Sequence, residues 1–209
     1  MQILDFALAA FALGLVLWSL QSRAARARVG LLARQLQPYE IEKLMQTLSE
    51  GYARALDEHD TQRRQAIWQL LQTSEKRLAE QVGRLAQDFA QLSAEQTRMS
   101  TLPMRGLLEP LMQSLPGIGW RGLDLRPLLL LHAQALQRAA GNPEVSASRR
   151  AHAFLAEMLL LQHTCHWFCR SRTLASARLL AHHQSSYERV LESVHPGTRE
   201  DYLRLVAKS

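Results

Sequence analysis

The sequence predicts an all-α protein with three parts: a single amino-terminal transmembrane helix, a long helical coiled-coil stalk and a small carboxyl-terminal helical bundle. Three observations lead to this fold class. One long apolar run occupies the first twenty residues, and leucines recur at every seventh position through the middle of the chain. No segment shows the two-residue alternation that is typical of strands. The ten glycines and seven prolines are few and clustered, which favours helices.

The apolar run Ile3–Leu20 predicts a membrane anchor within residues 1–22. Eighteen helical residues span about 27 Å, close to the roughly 30 Å of a hydrocarbon core. Trp18 lies where an interfacial aromatic side chain is expected, and three arginines follow at once: Arg23, Arg26 and Arg28. No Lys or Arg precedes the run. The positive-inside rule therefore predicts a single-pass protein of the bacterial inner membrane, with its amino terminus outside and the rest of the chain cytoplasmic.

Two other interpretations of the run stay open. A cleavable signal peptide usually begins with a basic region, which Met1-Gln2 does not provide. A buried core helix of a soluble protein seldom ends in an arginine-rich strip.

Residues 23–37 form a basic juxtamembrane segment, which would be attracted to anionic lipid by about 1 kcal/mol per basic residue. The formal net charge is +6, but basic residues alternate with acidic ones and form no run of five. This pattern is typical of solvated helix faces, so nucleic acid is an unlikely partner. The expected partners are a lipid bilayer and proteins.

Residues 38–100 are predicted to form the stalk. Pro38 suits a first helical position, and apolar residues recur from Ile41 to Leu56 at three- and four-residue steps. The polar cluster Glu58–Thr61 is either a helix break, with Asp60 capping the next helix, or a polar turn within one rod.

A heptad pattern follows, in which Leu71 begins a row of residues spaced by seven and a second row lies three residues earlier. The predicted coiled-coil seam comprises Trp68, Leu71, Leu78, Val82, Leu85, Phe89 and Leu92. Polar Glu75 interrupts it. Self-association into a homo-oligomer is the favoured interpretation. The alternatives are an antiparallel hairpin with the helix at 38–57 and pairing with a partner protein's helix.

Residues 101–122 are rich in Pro and Gly but also apolar, which predicts a linker packed on the following domain, or alternatively a docking or membrane-surface segment. Residues 123–209 are predicted to form the helical bundle, with helices at about 124–140, 146–170 and 172–194 and a last one starting at Thr198. Glu157, the one acid among apolar neighbours there, is expected to pair with an arginine of an adjacent helix.

The only cluster with chemical potential combines two thiols and imidazoles. Zinc could be bound by Cys165, His166 and Cys169, completed by His182 or alternatively His183 of the next predicted helix. Both cysteines also fall on the apolar stripe of their helix, where a free cysteine behaves as a small hydrophobic residue. The spacing matches no common zinc module, so no cofactor is expected and zinc is the alternative.

The order of these parts favours a membrane-anchored coiled-coil scaffold or adaptor that presents a cytoplasmic helical domain to protein partners. The sequence contains none of the common catalytic motifs, so an enzyme is not expected. The alternative function is a membrane-tethered metal or redox sensor that uses the Cys165, His166 and Cys169 cluster. Nucleic-acid binding ranks third, because the arginines are dispersed.

Overall fold

The computed structural model describes the backbone of residues 2–99, 122–141 and 146–207; the side chains at 2–4, 7, 9, 10, 17, 20 and 21 are not described. Its helices and strands, in chain order, are α1 (Gln2–Leu36), α2 (Ile41–Asp57), α3 (Thr61–Ala90), α4 (Ala94–Thr97), β1 (Arg98–Met99), β2 (Leu123–Asp124), α5 (Leu125–Ala140), α6 (Ala147–Cys169), α7 (Arg172–His183), α8 (Tyr187–Ser193) and α9 (Pro196–Ala207). The all-α prediction is confirmed at the level of class.

Helix α1 joins the predicted anchor and the predicted juxtamembrane segment into one continuous helix. Its carboxyl half belongs to the protein core, where Ala25, Leu31 and Leu32 are buried. Within the described residues, none of the helices combines the length and the apolar character that a membrane span requires. Seven positions of the Ile3–Leu20 run have side chains outside that description.

This finding contradicts the predicted transmembrane anchor and the single-pass inner-membrane localisation, which are corrected here. The apolar run occupies only the first half of α1. The same helix then continues through Arg23, Arg26, Arg28 and Arg34 into contacts with α3 and α6. The residues assigned to a membrane interface are therefore turns of a helix whose carboxyl half packs on protein.

Helices α2 and α3 form an antiparallel hairpin, joined at the polar cluster where a break was one of two alternatives. Asp60 caps α3, because its side chain accepts a hydrogen bond from the backbone N–H of Arg63 at 2.8 Å. At the open end of the hairpin, the side chain of Gln81 accepts from the backbone N–H of Glu40 at 2.7 Å, and Arg77 forms an ion pair with Glu40. Pro38 lies in the turn before α2 and not in its first turn.

The predicted coiled-coil seam is buried inside the chain and does not run along an exposed rod. Helix α3 packs on α2 along one side and on α5 along the other. Five seam residues are buried and two are partly buried against the core: Leu71, Leu78, Val82, Leu85 and Phe89, then Trp68 and Leu92. The hairpin alternative therefore describes this fold, and a homo-oligomer, which stays a prediction, would need a different surface.

A two-residue antiparallel ladder follows the hairpin, although no strand was predicted. Arg98 pairs with Asp124, and Met99 pairs with Leu123. Two residues are too few to show an alternating pattern, so the sequence carried no signal for them. The predicted linker at 101–122 lies outside the described residues except for Gly122.

Helices α5 and α6 begin within one residue of the positions that the sequence predicts. Asp124 caps α5 and Ser146 caps α6, each by accepting a backbone N–H two or three residues later. One helix predicted at 172–194 is instead two, because Gln184 takes a left-handed conformation (φ 51°) that ends α7. The last helix begins at Pro196 and not at Thr198, whose buried hydroxyl accepts from Arg138 at 3.2 Å.

A single core cluster connects the two predicted domains. It extends from Leu31 in α1 through α2, α3, α5 and α6 to Tyr202 in α9. Helix α6 is central to it, with contacts to α1, α2, α5, α7 and α8. The largest fully buried side chains lie on both sides of the boundary predicted near residue 100, among them Phe89, Phe154, Trp167 and Tyr202.

Candidate functional site

A cleft opens where α2 and α7 both pack on α6, with the last turn of α1 as a further wall. Its cavity volume is about 590 Å³, within the 300–1,000 Å³ typical of small-molecule sites. Apolar side chains from five helices form its floor: Leu32, Leu36, Ile41, Met45, Leu85, Met158, Leu159, Leu161 and Leu179. The cleft therefore offers concave apolar surface.

Polar side chains line the cleft on both the α2 wall and the α7 wall. The α2 wall carries Glu42 and Glu50, both exposed and acidic. The α7 wall carries Arg178, His182 and His183. The Nε2 atom of His183 lies 3.0 Å from the amide oxygen of Gln162 on α6, and this hydrogen bond holds the imidazole against the cleft. The two walls thus differ in charge.

The sequence-predicted zinc ligands are only partly brought together. Cys165, His166 and His182 line the cleft, whereas Cys169 lies one turn further along α6 and is buried in the core cluster. Among the described residues, which include all four predicted ligands, no group of three His, Cys, Asp or Glu side chains could hold a metal ion. This geometry gives the predicted zinc site no support, since Cys169 belongs to the core cluster while the other three side chains line the cleft.

The chemistry of Cys165 does not favour a reactive thiol. Burial, together with smaller contributions from the nearby Cys169 and Glu42, raises the pKa of Cys165 to about 12. The thiol is protonated at neutral pH, whereas nucleophilic and metal-binding cysteines are thiolates. On the α7 side, burial lowers the pKa of His166, as does the positive charge of Arg178. The site therefore presents a neutral thiol and a largely neutral imidazole.

The glutamate that interrupts the heptad row lies at the centre of a buried polar network. Glu75 is fully buried, and its Oε1 atom accepts a hydrogen bond from the Tyr52 hydroxyl at 2.8 Å. Its Oε2 atom accepts from Nε of Arg150, on α6, at 3.3 Å. This group joins α2, α3 and α6, so Glu75 has a structural partner on each neighbouring helix.

Glu157 has a structural role that differs from the predicted pairing. Its Oε1 atom accepts from the backbone N–H of His195 at 3.1 Å, just before α9 begins. Burial raises its pKa, although the His195 hydrogen bond opposes that shift. An ion pair with an arginine of an adjacent helix is not formed within the described structure; Arg138 lies near enough to act only through its charge.

Two further histidines are buried and neutral. The imidazole of His132 lies 2.9 Å from the Thr164 hydroxyl, and burial lowers its pKa to about 3. His163 lies 3.1 Å from the hydroxyl of Ser176, and burial lowers its pKa to about 4. Both imidazoles are hydrogen-bonded parts of the interior, and His163 also contributes to the lining of the cleft.

The amino-terminal half of α1 is the other unusual surface. Its described large apolar side chains are mostly solvent-exposed, in fractions from 50% to 82%: Phe6, Leu8, Phe11, Leu13, Leu15, Val16 and Trp18. Trp18, which was predicted to lie at a membrane interface, is one of these exposed side chains. Arg23 and Arg26 are exposed in the next turns, and Arg28 is half-buried.

No family model, curated protein or solved structure matches the chain. The cleft and the exposed half of α1 are the features of the described structure that bear on function. Sequence reasoning missed both Glu42 and Arg178, the charged residues of the cleft walls. Each is an ordinary surface residue of its own helix, and only the packing of α2 and α7 on α6 gives it significance.

Proposed function

We propose that this protein is a non-enzymatic helical scaffold that works through protein–protein contacts and self-associates through the amino-terminal half of α1. One observation carries the proposal: the exposure of Phe6, Phe11 and Trp18 at 82%, 67% and 67% on one projecting helix. Monomeric proteins rarely expose contiguous apolar patches larger than a few hundred Å².

The size of this surface suits a second copy of the chain. Large apolar and aromatic side chains at these exposures present on the order of 800 Å² in total. A standard specific interface buries roughly 800 Å² on each partner. Two copies that pair these helix halves can bury the face that carries Phe11 and Trp18, which lie about 20° apart around the helix axis, whereas Phe6 lies more than about 100° away from both.

The charges at the ends of the segment favour antiparallel pairing. Asp5 precedes the apolar side chains and Arg23 follows them, about 27 Å further along the helix. In an antiparallel pair, Asp5 of each copy lies beside Arg23 of the second copy. Among the described side chains of α1, the first buried one is that of Ala25, beyond the paired stretch, so in this arrangement the two bodies stand at opposite ends of the pair.

The remaining structure agrees with a scaffold more than with an enzyme. The buried titratable groups Glu75, Glu157 and His132 hold helices together and lie outside the cleft lining, whereas His163 belongs to that lining and lies within hydrogen-bond distance of the Ser176 hydroxyl. The metal- or redox-sensor alternative is not favoured, since the donor residues do not converge and the Cys165 thiol is protonated.

Sedimentation equilibrium of the full chain without detergent tests the proposal. We expect the wild-type chain to form a dimer. We expect the double variant F11S/W18S to have a dimer dissociation constant at least tenfold higher. The matched control is L174S/L180S, which removes two side chains of α7 that are exposed to a similar degree, 58% and 55%. This control should leave the dimer unchanged.

Charge reversal tests the antiparallel arrangement. Asp5→Arg and Arg23→Asp should each weaken the dimer, and the combined variant should restore it. A wild-type chain that is monomeric at all concentrations would overturn the proposal. So would a monomer that sediments with phospholipid vesicles through Phe11 and Trp18, because the exposed side chains would then have a different occupant.

A further inference from the structure

The cleft between α2, α6 and α7 carries an inference that goes beyond self-association. Its floor is apolar, and its walls carry charges of opposite sign: Glu42 and Glu50 on α2, of which Glu50 accepts a hydrogen bond from Gln46, and Arg178 on α7. Within the described part of the chain, neither Glu42 nor Arg178 has a hydrogen bond or an ion pair. Both are exposed at the rim and free to meet a ligand.

The two charges approach α6 from different sides. Glu42 acts electrostatically on Cys165, whereas Arg178 acts on the next residue, His166. Successive residues of a helix point about 100° apart. The apolar floor therefore lies between an acidic wall and a basic wall, and a ligand resting on this floor meets one charge at each end.

Arg178 is the permanent cation of the α7 wall. Burial lowers the pKa of His183, and the neighbouring His182 lowers it further, so that His183 is largely neutral at pH 7. Its imidazole also lies at hydrogen-bonding distance from Gln162. An anionic group bound on this wall is therefore expected to pair with the guanidinium, which binds carboxylates well because its donors form a planar fork.

We propose that this cleft binds a short apolar peptide with free termini. The peptide's ammonium group pairs with Glu42, its carboxylate pairs with Arg178, and its apolar side chains cover the floor formed by Met45, Leu159 and Leu179. A cavity of about 590 Å³ is large enough for a ligand of this size. A purely anionic amphiphile fits less well, because it has no cation to pair with the acidic wall that Glu42 and Glu50 form.

Calorimetric titration of the full chain with three matched peptides tests the proposal. The probes are trileucine, N-acetyl-trileucine, which lacks the ammonium group, and trileucine amide, which lacks the carboxylate. We expect the free peptide to bind at least tenfold more tightly than either blocked form. Equal affinity for all three, or no binding of any at millimolar concentration, would overturn the proposal.

Two variants assign each end of the peptide. Arg178→Gln should abolish the preference over the amide while keeping the preference over the acetylated form, and Glu42→Gln should do the reverse. Arg189→Gln on α8, which changes an exposed arginine outside the cleft, should leave all affinities unchanged. Far-UV circular dichroism verifies that each variant is folded. The titration is repeated with F11S/W18S, which weakens the proposed dimer without changing the cleft. Peptide binding and self-association are thereby tested independently of each other.

Discussion

The buried network around Glu75 gives the sharpest prediction about stability. Replacing Arg150 by Met removes the cation beside a carboxylate that is 1% exposed, and leaves the Tyr52 hydroxyl as its remaining described partner. Breaking a buried pair in this way costs about 3–5 kcal/mol, because the stranded charge is not solvated. We expect R150M to lose about 3 kcal/mol of the free energy of unfolding, measured at pH 7 by urea denaturation.

The double variant E75M/R150M distinguishes two causes of lost stability in R150M: the unpaired buried charge of Glu75 and the lost contacts of the Arg150 side chain. Replacing both partners with apolar residues of similar size is often neutral or stabilising. We therefore expect the double variant to recover most of the stability that R150M loses. The control is Arg77→Met, whose ion pair with Glu40 is exposed and should contribute less than about 1 kcal/mol. A double variant less stable than R150M would refute the reasoning.

Glu75 also links stability to pH. Burial raises its pKa above the ordinary value of 4.5, although Tyr52 and Arg150 oppose the shift. The folded protein thus holds the proton more tightly than the unfolded chain. This stabilising contribution is complete below pH 4.5 and is lost as pH rises through the folded pKa. Relative to the neutral variant E75Q, the wild type should therefore lose stability as pH rises from 4.5.

Two further predictions concern other parts of the core. Burial lowers the pKa of His163 from 6.5 to about 4, so the unfolded chain binds its proton first and stability falls as pH drops through this window. We expect the wild type to lose about 2 kcal/mol from this group between pH 7.5 and pH 5, and H163Q to lose less in the same urea titration. Gly51→Ala should destabilise by about 1–3 kcal/mol, because its Cβ would collide with the Leu71 side chain. Gly30→Ala in α1, which meets no atom within 4 Å, should stabilise by about 0.5–1 kcal/mol; equal melting temperatures for the two variants would contradict this explanation.

Much of the helical framework could be predicted from the sequence because its signals are local. Asp60 and Asp124 are good capping residues next to apolar periodic segments, and both cap helices here. The break after α7 gave a weaker signal, since it depends on a left-handed Gln184 in place of the usual glycine. The seam residues lie on one stripe of α3 that is buried or partly buried in the core.

What covers that stripe could not be read from its spacing. A heptad row specifies a helix face that must be buried, but it does not distinguish a second chain from another helix of the same chain. The polar residue within the heptad row, Glu75, is explained only by the tertiary structure, because its partners Tyr52 and Arg150 lie 23 and 75 residues away in the sequence. The cleft was inaccessible for the same reason: Glu42 and Arg178 become opposing walls only through contacts between distant segments.

The continuity of α1 fixes the angular phase between its exposed half and the body of the protein. The helix runs unbroken from Gln2 to Leu36, and Leu36 lines the cleft. Each residue inserted or deleted near position 22 would turn the exposed half by about 100° and shift it by about 1.5 Å relative to the body. The effect of an insertion or deletion at this position should therefore vary with the helical period. A change of three or four residues nearly restores the original orientation of the exposed half, whereas a change of two residues turns it to the opposite side. The number of residues in α1 therefore sets the direction in which its exposed half faces relative to the body of the protein.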